Sequence, residues 1–339
     1  MDSSALLRYL QSKFTDRNSL QIVNYKDITS GWETQIYAFD LRWEVNQKEE
    51  SEHLIVRVYA PGISEKTEHE ARVMKQLSTM DYPVPMVHIT ETDESLLGKP
   101  FMIMDRITGS TLEDKISVPN ADFSKWLRVF SELFVKLHNL DWTVFLSDPN
   151  IIPKDDPYFI INTMLSDYRV KITQYDKEEL LPIVEWLETN ANRVPCYRPS
   201  VTHGDFHPMN IMIDDDELPY VIDWGAAGVR DFRMDLAWTL LLTRAYSTQE
   251  NHDFILKGYE DEVGHQINEI EYFEVLAILR RLFDVLVSMD EGATSRGMRE
   301  GAVELIREQM GHVKVVYSLL VEMTEIQIPE VESWIDSFL

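Results

Sequence analysis

Hydrophobic and polar side chains alternate along much of the first third of the chain, a pattern typical of β-strands. Three such runs are Leu20–Ile28, Thr34–Val45 and His53–Tyr59. The polar stretch Asn46–Glu52 between the last two predicts a hairpin turn. In Ser64–Met80 the apolar positions recur at helical spacing instead, which predicts one helix embedded among the strands.

Three further elements complete this N-terminal part. A helix is predicted over residues 2–14, because good N-cap residues precede leucines at helical spacing. Strands are predicted near Met86–Thr90 and Pro100–Ile107. Together these elements predict a small, mostly antiparallel sheet that carries one helix.

The pattern changes after Gly109, where nearly every apolar stretch has helical spacing. A short segment at about Ser200–Asp223 interrupts the helices with strand and loop signals. The predicted helices are Ala121–Leu140, Pro157–Gln174, Lys177–Asn190, Arg233–Tyr246, His252–Val263, Ile270–Met289 and Arg299–Gln327.

This order of elements predicts an α+β protein in two lobes. The expected boundary gives a β-rich lobe at residues 1–105 and a larger helical lobe at residues 106–339. Two lobes also fit the length of 339 residues.

Composition narrows the possible functions. The formal net charge of −26 disfavours nucleic acid as a partner, since the phosphate backbone is also negative. Mutual repulsion at that charge slightly favours a monomer. The single cysteine, Cys196, allows no disulfide within the chain and fits a reducing cytoplasm. The sequence shows neither a secretory signal nor an apolar run of membrane-spanning length, so we expect a cytoplasmic protein without a membrane partner.

The most informative segment begins at His203 with the letters HGDFHPMN. Four residues separate Asp205 from Asn210, and the triplet DWG follows at Asp223. The protein-kinase catalytic loop H-R-D-x-x-x-x-N has the same separation and is followed by D-F-G. An apolar run, a turn and a second apolar run lie between Asn210 and Asp223, so a tight hairpin is predicted there.

These residue types suit phosphoryl transfer to a hydroxyl group. That reaction needs an acceptor for the hydroxyl proton and Mg²⁺ to hold the phosphates. Asp205 is the candidate base. Asn210 offers a neutral oxygen and Asp223 an anionic one, and hard Mg²⁺ prefers oxygen ligands.

The motif H-G-D-x-H-x-x-N followed by I-D-W resembles the aminoglycoside phosphotransferase and choline kinase-like superfamily, whose members are small-molecule kinases with a protein-kinase-like fold. The resemblance implies ATP or GTP as phosphate donor, Mg²⁺, and a small-molecule hydroxyl as acceptor. It also implies that His203 braces the catalytic loop. Asp223 and Asp235 are only twelve positions apart, which leaves no room for the activation segment that seats a peptide in protein kinases.

The resemblance assigns nucleotide contacts to the N-terminal lobe. Arg57 occupies the position of the strand residue that faces the phosphates, where the family has lysine. Glu70 is the expected partner of Arg57, and Glu68 is a competing candidate. The loop around Gly31 would cover the phosphates, although an ordinary hairpin turn fits it equally well. Backbone atoms of the hinge strand would bond the adenine edge, at Met104, Asp105 and Arg106.

The acceptor site implied by the resemblance lies between the catalytic loop and the C-terminal helices. Acidic and aromatic candidates suit a cationic acceptor, whereas the pair Arg280-Arg281 suits an anionic one. The acidic and aromatic candidates for acceptor binding are Asp231, Trp238, Tyr259 and Asp284.

Two other functions remain open at the level of sequence. One is a nucleotide-binding pseudokinase that acts as a scaffold. The other is a metal-dependent hydrolase, in which His203 and His207 would be ligands.

Overall fold

A computed structural model describes residues 2–29, 34–292, 304, 307–308 and 310–339. Among these residues the chain divides into two compact units. Unit 1 contains the segments Met1–Asp114 and Met209–Gly225. Unit 2 contains Lys115–Pro208, Ala226–Ala293 and Gly301–Leu339. The predicted boundary after residue 105 stays a prediction.

Unit 1 is built on a five-stranded antiparallel sheet with the strand order β1-β2-β3-β5-β4. Its strands are β1 (Asn18–Asp27), β2 (Gln35–Val45), β3 (Lys48–Val58), β4 (Val87–Glu91) and β5 (Phe101–Asp105). Its helices are α1 (Ser3–Lys13), α2 (Ser64–Thr79) and α3 (Glu94–Leu97).

The hairpin between β2 and β3 is tighter than the sequence predicts. Only Asn46 and Gln47 form the turn, with φ angles of 51° and 64°. Two consecutive positive φ angles are typical of the two-residue turns that match the twist of a hairpin. The charged residues 48–52, predicted as turn, pair with β2 instead, because strand residues that face water can be polar.

Helix α1 covers one face of this sheet. The Asp2 side chain caps it by accepting the backbone N–H groups of Ser4 and Ala5. Its buried face, including Leu6 and Leu10, belongs to the same apolar cluster as Phe39 of β2. The cluster therefore packs α1 against the sheet.

A second small sheet in unit 1 consists of β6 (Gly109–Thr111), β8 (Ile211–Asp214) and β9 (Pro219–Val221), in the order β6-β8-β9. Because β8 pairs with β6, the hairpin from the middle of the sequence belongs to unit 1. Gly109, at φ 141°, permits the close approach, since a Cβ atom there would lie 2.0 Å from the Ile213 carbonyl oxygen.

Unit 2 is mainly helical and contains a two-stranded ladder of β7 (Ser200–Thr202) and β10 (Gly228–Arg230). Helix α4 (Leu112–Ile116) spans the division between the units. The other helices are α5 (Phe123–Asn139), α6 (Phe159–Gln174), α7 (Leu181–Asn190), α8 (Phe232–Tyr246), α9 (Gln249–Val263), α10 (Ile270–Glu291), α11 (Met310–Thr324) and α12 (Pro329–Asp336). Short 3₁₀ helices occur at Trp142–Phe145, Pro149–Ile151, Glu178–Leu180, Ala191–Arg193, Pro208–Asn210 and Trp224–Ala226.

The predicted helix 299–327 differs from the structure at its C-terminal end. Helix α11 stops at Thr324, and Glu325 has a φ of 61°, so the backbone leaves the helical region before α12 begins. The start of that predicted helix lies largely outside the described residues. A sheet-based unit and a helical unit confirm the predicted α+β class.

Candidate active site

An ion cluster in unit 1 joins three distant parts of the sequence. Arg57 on β3 is 6% exposed and donates from Nη1 to Glu70 Oε1 at 2.7 Å and from Nη2 to Asp223 Oδ1 at 2.6 Å. Its Nε donates to the Thr34 hydroxyl at 3.0 Å. The Tyr59 hydroxyl donates to the other oxygen of Glu70 at 2.7 Å. Every nitrogen of the Arg57 guanidinium group is therefore held.

The ion cluster shows that Glu70, and not Glu68, is the glutamate on α2 that pairs with Arg57. Glu70 is fully buried against the arginine, whereas Glu68 is exposed and accepts a hydrogen bond from Thr92. Burial by itself lowers the pKa of Arg57, but Glu70 and Asp223 outweigh it and raise that pKa well above its ordinary value. Arg57 thus stays cationic, and the Asp223 carboxylate, 44% exposed, keeps one face toward solvent.

The β8–β9 hairpin places Asn210 and Asp223 side by side. The Ile222 N–H donates to the Asn210 carbonyl oxygen at 2.9 Å, one residue before Asp223. Asp223 has a φ of 68°, in the left-handed region. Trp224 fixes this turn, because its buried ring stacks edge-on against Tyr82 and its Nε1 donates to the Val221 carbonyl oxygen.

A cavity of about 710 Å³ opens in unit 1 beside the predicted hinge. It is lined by residues of β1 and β2 and by the segment Arg106–Gly109. Asp40, 5% exposed, ties its wall together by accepting hydrogen bonds from Asn24 at 2.6 Å and Arg106 at 2.9 Å. Sequence reasoning missed Asn24 and Asp40. The available signal was an aspartate inside the apolar run AFDLRW of β2.

Two backbone N–H groups at the end of the predicted hinge strand donate hydrogen bonds to neighbouring segments of unit 1. The Asp105 N–H donates to the Met86 carbonyl oxygen at 3.0 Å, and the Arg106 N–H donates to the His53 carbonyl oxygen at 2.9 Å. Met104 is buried in β5. The N–H groups of Asp105 and Arg106 are therefore already bonded within unit 1, and the adenine contacts of Met104, Asp105 and Arg106 stay a prediction. Gly31, predicted to cover the phosphates, lies outside the described residues.

The first part of the predicted catalytic loop, His203–Pro208, lies in unit 2 and is braced from α8. Asp235, 2% exposed, accepts the backbone N–H groups of His203 at 2.6 Å and Gly204 at 2.8 Å. Gly204 has a φ of 83°, and a Cβ atom there would lie 2.6 Å from the Ala226 carbonyl oxygen. The His203 ring accepts the Asp205 N–H at 3.2 Å through Nδ1. The loop backbone is thus fixed on both sides of Asp205.

Two side chains contact the Asp205 carboxylate. Trp238 Nε1 donates to Oδ1 at 2.8 Å, and His207 Nε2 lies 3.4 Å from Oδ2. Burial alone would raise the pKa of Asp205, but the contacts with His207 and Trp238 and the charge of Arg280 lower it well below its ordinary value. Asp205 therefore remains ionised, and its side chain is 37% exposed.

The candidates for acceptor binding fall into two groups. Asp231 is 3% exposed, caps α8 and pairs with Arg233 at 2.7 Å. Tyr259 is 2% exposed, and its hydroxyl lies 2.8 Å from His138 Nδ1. These contacts favour a structural role for both, and their acceptor role stays a prediction. Trp238 contacts Asp205, and Asp284 lies on α10 with its Oδ2 3.8 Å from Arg280 Nε.

No helix in the described part of the chain is long and apolar enough to cross a membrane.

The chain is similar to a curated mouse protein and to solved structures. The mouse (Mus musculus) protein "Acyl-CoA dehydrogenase family member 10" is 26% identical over 205 residues, which cover 58% of this chain and 18% of that protein. The chain thus spans about a fifth of the length of that curated relative.

Two solved structures share the fold. A putative aminoglycoside phosphotransferase from Ralstonia eutropha superposes with a TM-score of 0.64 at 15% identity, covering 95% of this chain and 98% of that one. A thermostable mutant of aminoglycoside phosphotransferase APH(4)-Ia, in a ternary complex with AMP-PNP and hygromycin B, superposes with a TM-score of 0.59 at 16% identity, covering 93% and 98%.

The sequence itself matches the phosphotransferase enzyme family over residues 24–268. That span contains the ion cluster of Arg57, the β8–β9 hairpin and the braced loop at Asp205. The match confirms the predicted resemblance to a phosphotransferase family. The chain belongs to the phosphotransferase enzyme family.

Proposed function

We propose that this protein transfers the γ-phosphate of ATP to a hydroxyl group of a small molecule, with Mg²⁺. The observation that carries the proposal is the hairpin that holds Asn210 and Asp223 side by side, just after a loop that fixes the carboxylate of Asp205. ATP is favoured over GTP because the AMP-PNP complex of a structural neighbour contains an adenine nucleotide.

Asp205 orients the acceptor hydroxyl and takes its proton. Its lowered pKa keeps it ionised as a hydrogen-bond acceptor, and also makes it a weak base. The proton therefore moves late, when the bond to phosphorus is largely formed and the hydroxyl has become more acidic. Trp238 and His207 hold the carboxylate, so the hydroxyl is aligned before the reaction begins.

The residues present fit Mg²⁺. The Asp223 carboxylate and the Asn210 side-chain amide supply hard oxygen donors on neighbouring backbone segments, and Asp223 is partly exposed. When bound, the ion would neutralise charge on the phosphates. Arg57 would add a second cation there, and Glu70 keeps its guanidinium group oriented. His203 acts as a positioning residue, since its ring accepts the Asp205 N–H.

The cavity beside the hinge is the proposed adenine site. The predicted adenine contacts are backbone atoms of Met104, Asp105 and Arg106, of which Arg106 lines the cavity. The buried Asp40–Arg106 contact fixes the wall.

The test is an ADP-release assay with Mg²⁺ and ATP against pools of aminoglycosides, amino alcohols, sugars and hydroxy acids. We expect Asp205→Ala to lower turnover by roughly 10²–10⁴-fold, about 3–5 kcal/mol, with nucleotide binding nearly intact. Asp223→Ala should instead weaken binding of Mg-nucleotide. Wild-type turnover in Asp205→Ala would refute the mechanism.

The same assay separates the other functions. A pseudokinase would bind nucleotide without acceptor-dependent release. A metal-dependent hydrolase would release phosphate without any acceptor.

A further inference from the structure

Two arginines flank one contact of the catalytic loop in unit 2. Gly204 packs against Ala226 so closely that a Cβ atom would not fit. Arg280 Nη1 donates to the Gly204 carbonyl oxygen at 2.7 Å, and Arg230 Nη1 donates to the Ala226 carbonyl oxygen at 3.2 Å. The two guanidinium groups therefore lie on the two sides of a single backbone contact, next to Asp205.

Both groups lack a close carboxylate partner within the described part of the chain. Arg230 also donates to the Thr202 hydroxyl at 2.9 Å, which is again a neutral oxygen. The carboxylate nearest to Arg280 is Asp284, whose Oδ2 lies 3.8 Å from Nε, beyond hydrogen-bond distance. Arg57 and Arg233, by contrast, pair directly with carboxylates at 2.6–2.7 Å.

The pair is close enough for mutual repulsion. Burial lowers the pKa of Arg230 first, and the charge of Arg280 lowers it further, while Asp235 opposes both. A chain with 58 acidic and 32 basic residues has ample carboxylates for such positions. Two like charges left beside the reactive group indicate that an anion completes the site.

Arg280 also reaches the reactive carboxylate through Trp238. Its guanidinium carbon lies 3.8 Å from the centre of the Trp238 ring, and the same indole donates to Asp205. On the next residue of α10, Arg281 donates to His312 Nε2 and to the Tyr246 hydroxyl at 2.8 Å. Arg280 is thus the arginine of α10 whose charge acts on Asp205.

We propose that the acceptor carries an anionic group, a carboxylate or a phosphate ester, which binds to Arg230 and Arg280 while its hydroxyl faces Asp205. This inference rests on the proposed function and specifies its substrate class. Guanidinium groups can each offer two parallel N–H donors to either oxyanion. The same charges repel a polycationic acceptor such as an aminoglycoside.

The test uses four probes with one three-carbon skeleton: glycerate, glycerol 3-phosphate, glycerol and 3-amino-1,2-propanediol. Binding to the full chain with ADP and Mg²⁺ is measured by calorimetry for wild type, Arg280→Gln and Arg230→Gln. Arg193→Gln is the matched control, because Arg193 pairs with Glu269 at 2.6 Å on unit 2 and has no contact with the loop in the described residues. Circular dichroism checks each fold, and Arg280→Gln decides alone if the more buried Arg230→Gln misfolds.

We expect at least one anionic probe to bind wild type and Arg193→Gln with equal affinity. The same probe should bind Arg280→Gln about 10–100-fold more weakly. The two anionic probes distinguish a carboxylate from a phosphate. The proposal is overturned if neither anion binds, if Arg280→Gln binds them unchanged, or if the aminodiol binds more tightly than both.

Turnover with the same probes separates this inference from the proposed function. Anion binding without Asp205-dependent ADP release with any acceptor would leave the anion site standing and count against phosphotransfer. ADP release with cationic or neutral acceptors alone would support phosphotransfer and overturn the anionic acceptor. An equal loss of turnover with every acceptor in Arg280→Gln would place the arginine on the transferred phosphate and overturn the acceptor assignment.

Discussion

Asp235→Asn tests whether the loop that carries Asp205 depends on a buried carboxylate. In the wild type, the two oxygens of Asp235 accept the N–H groups of His203 at 2.6 Å and Gly204 at 2.8 Å. His138 Nε2 lies 3.3 Å from one of them. Burial would raise the pKa of Asp235, but the contacts with His138 and His203 lower it, so the group is ionised.

The magnitude follows from counting the lost contacts. Asparagine keeps one acceptor oxygen and turns an NH₂ group toward the other backbone donor. One charge-assisted hydrogen bond is lost, about 1.5–3 kcal/mol, and one buried donor is left without an acceptor, about 1–3 kcal/mol. We therefore expect the free energy of unfolding to fall by about 2.5–6 kcal/mol. A displaced loop should lower kcat by roughly 10²-fold.

Urea unfolding and steady-state kinetics measure the two effects. The control is Asp122→Asn, because Asp122 caps α5 through a single N–H group, that of Lys125, at 3.0 Å, and asparagine caps equally well. The KM for ATP should change little, since the proposed nucleotide contacts belong to unit 1. If Asp235→Asn has the same unfolding free energy and kcat as Asp122→Asn, the loop does not depend on the Asp235 carboxylate.

Three further predictions follow from single contacts. Gly204→Ala should lower kcat at least tenfold in the ADP-release assay, because the added Cβ would lie 2.6 Å from the Ala226 carbonyl oxygen at a positive φ, and unchanged kcat would contradict this. Arg57→Lys should raise the KM for ATP and lower the melting temperature by several degrees, since one ammonium cannot replace three separately bonded nitrogens; wild-type values of both would count against it. Burial lowers the pKa of His252, but Glu274 at 3.0 Å raises it overall, so its stabilisation is present below the unfolded pKa of about 6.5 and disappears as pH rises through the folded pKa. Urea unfolding between pH 5 and 8 should show a weaker decline in His252→Asn than in wild type, and equal slopes would rule the contribution out.

The sequence by itself determined the local elements that carry the candidate site and the family resemblance. The spacing of Asp205, Asn210 and Asp223, with two apolar runs between the last two, predicts the loop and the hairpin that the structure contains. Periodicity likewise predicts most helices and the antiparallel sheet, because apolar side chains must repeat with the period of the element that buries them. Motif spacing and periodicity involve residues close together in the sequence, so the sequence pattern is sufficient to predict the elements they form.

The tertiary structure decided which distant side chains meet. It selects Glu70 rather than Glu68 for Arg57, turns Asp231 and Tyr259 toward interior partners, and draws residues 209–225 into unit 1 through β6. Arg230 and Arg280 are fifty residues apart in sequence and converge on one backbone contact. Pairing of this kind depends on packing between elements far apart in the chain, which no local pattern encodes, and the positive charge beside Asp205 is therefore a property of the fold.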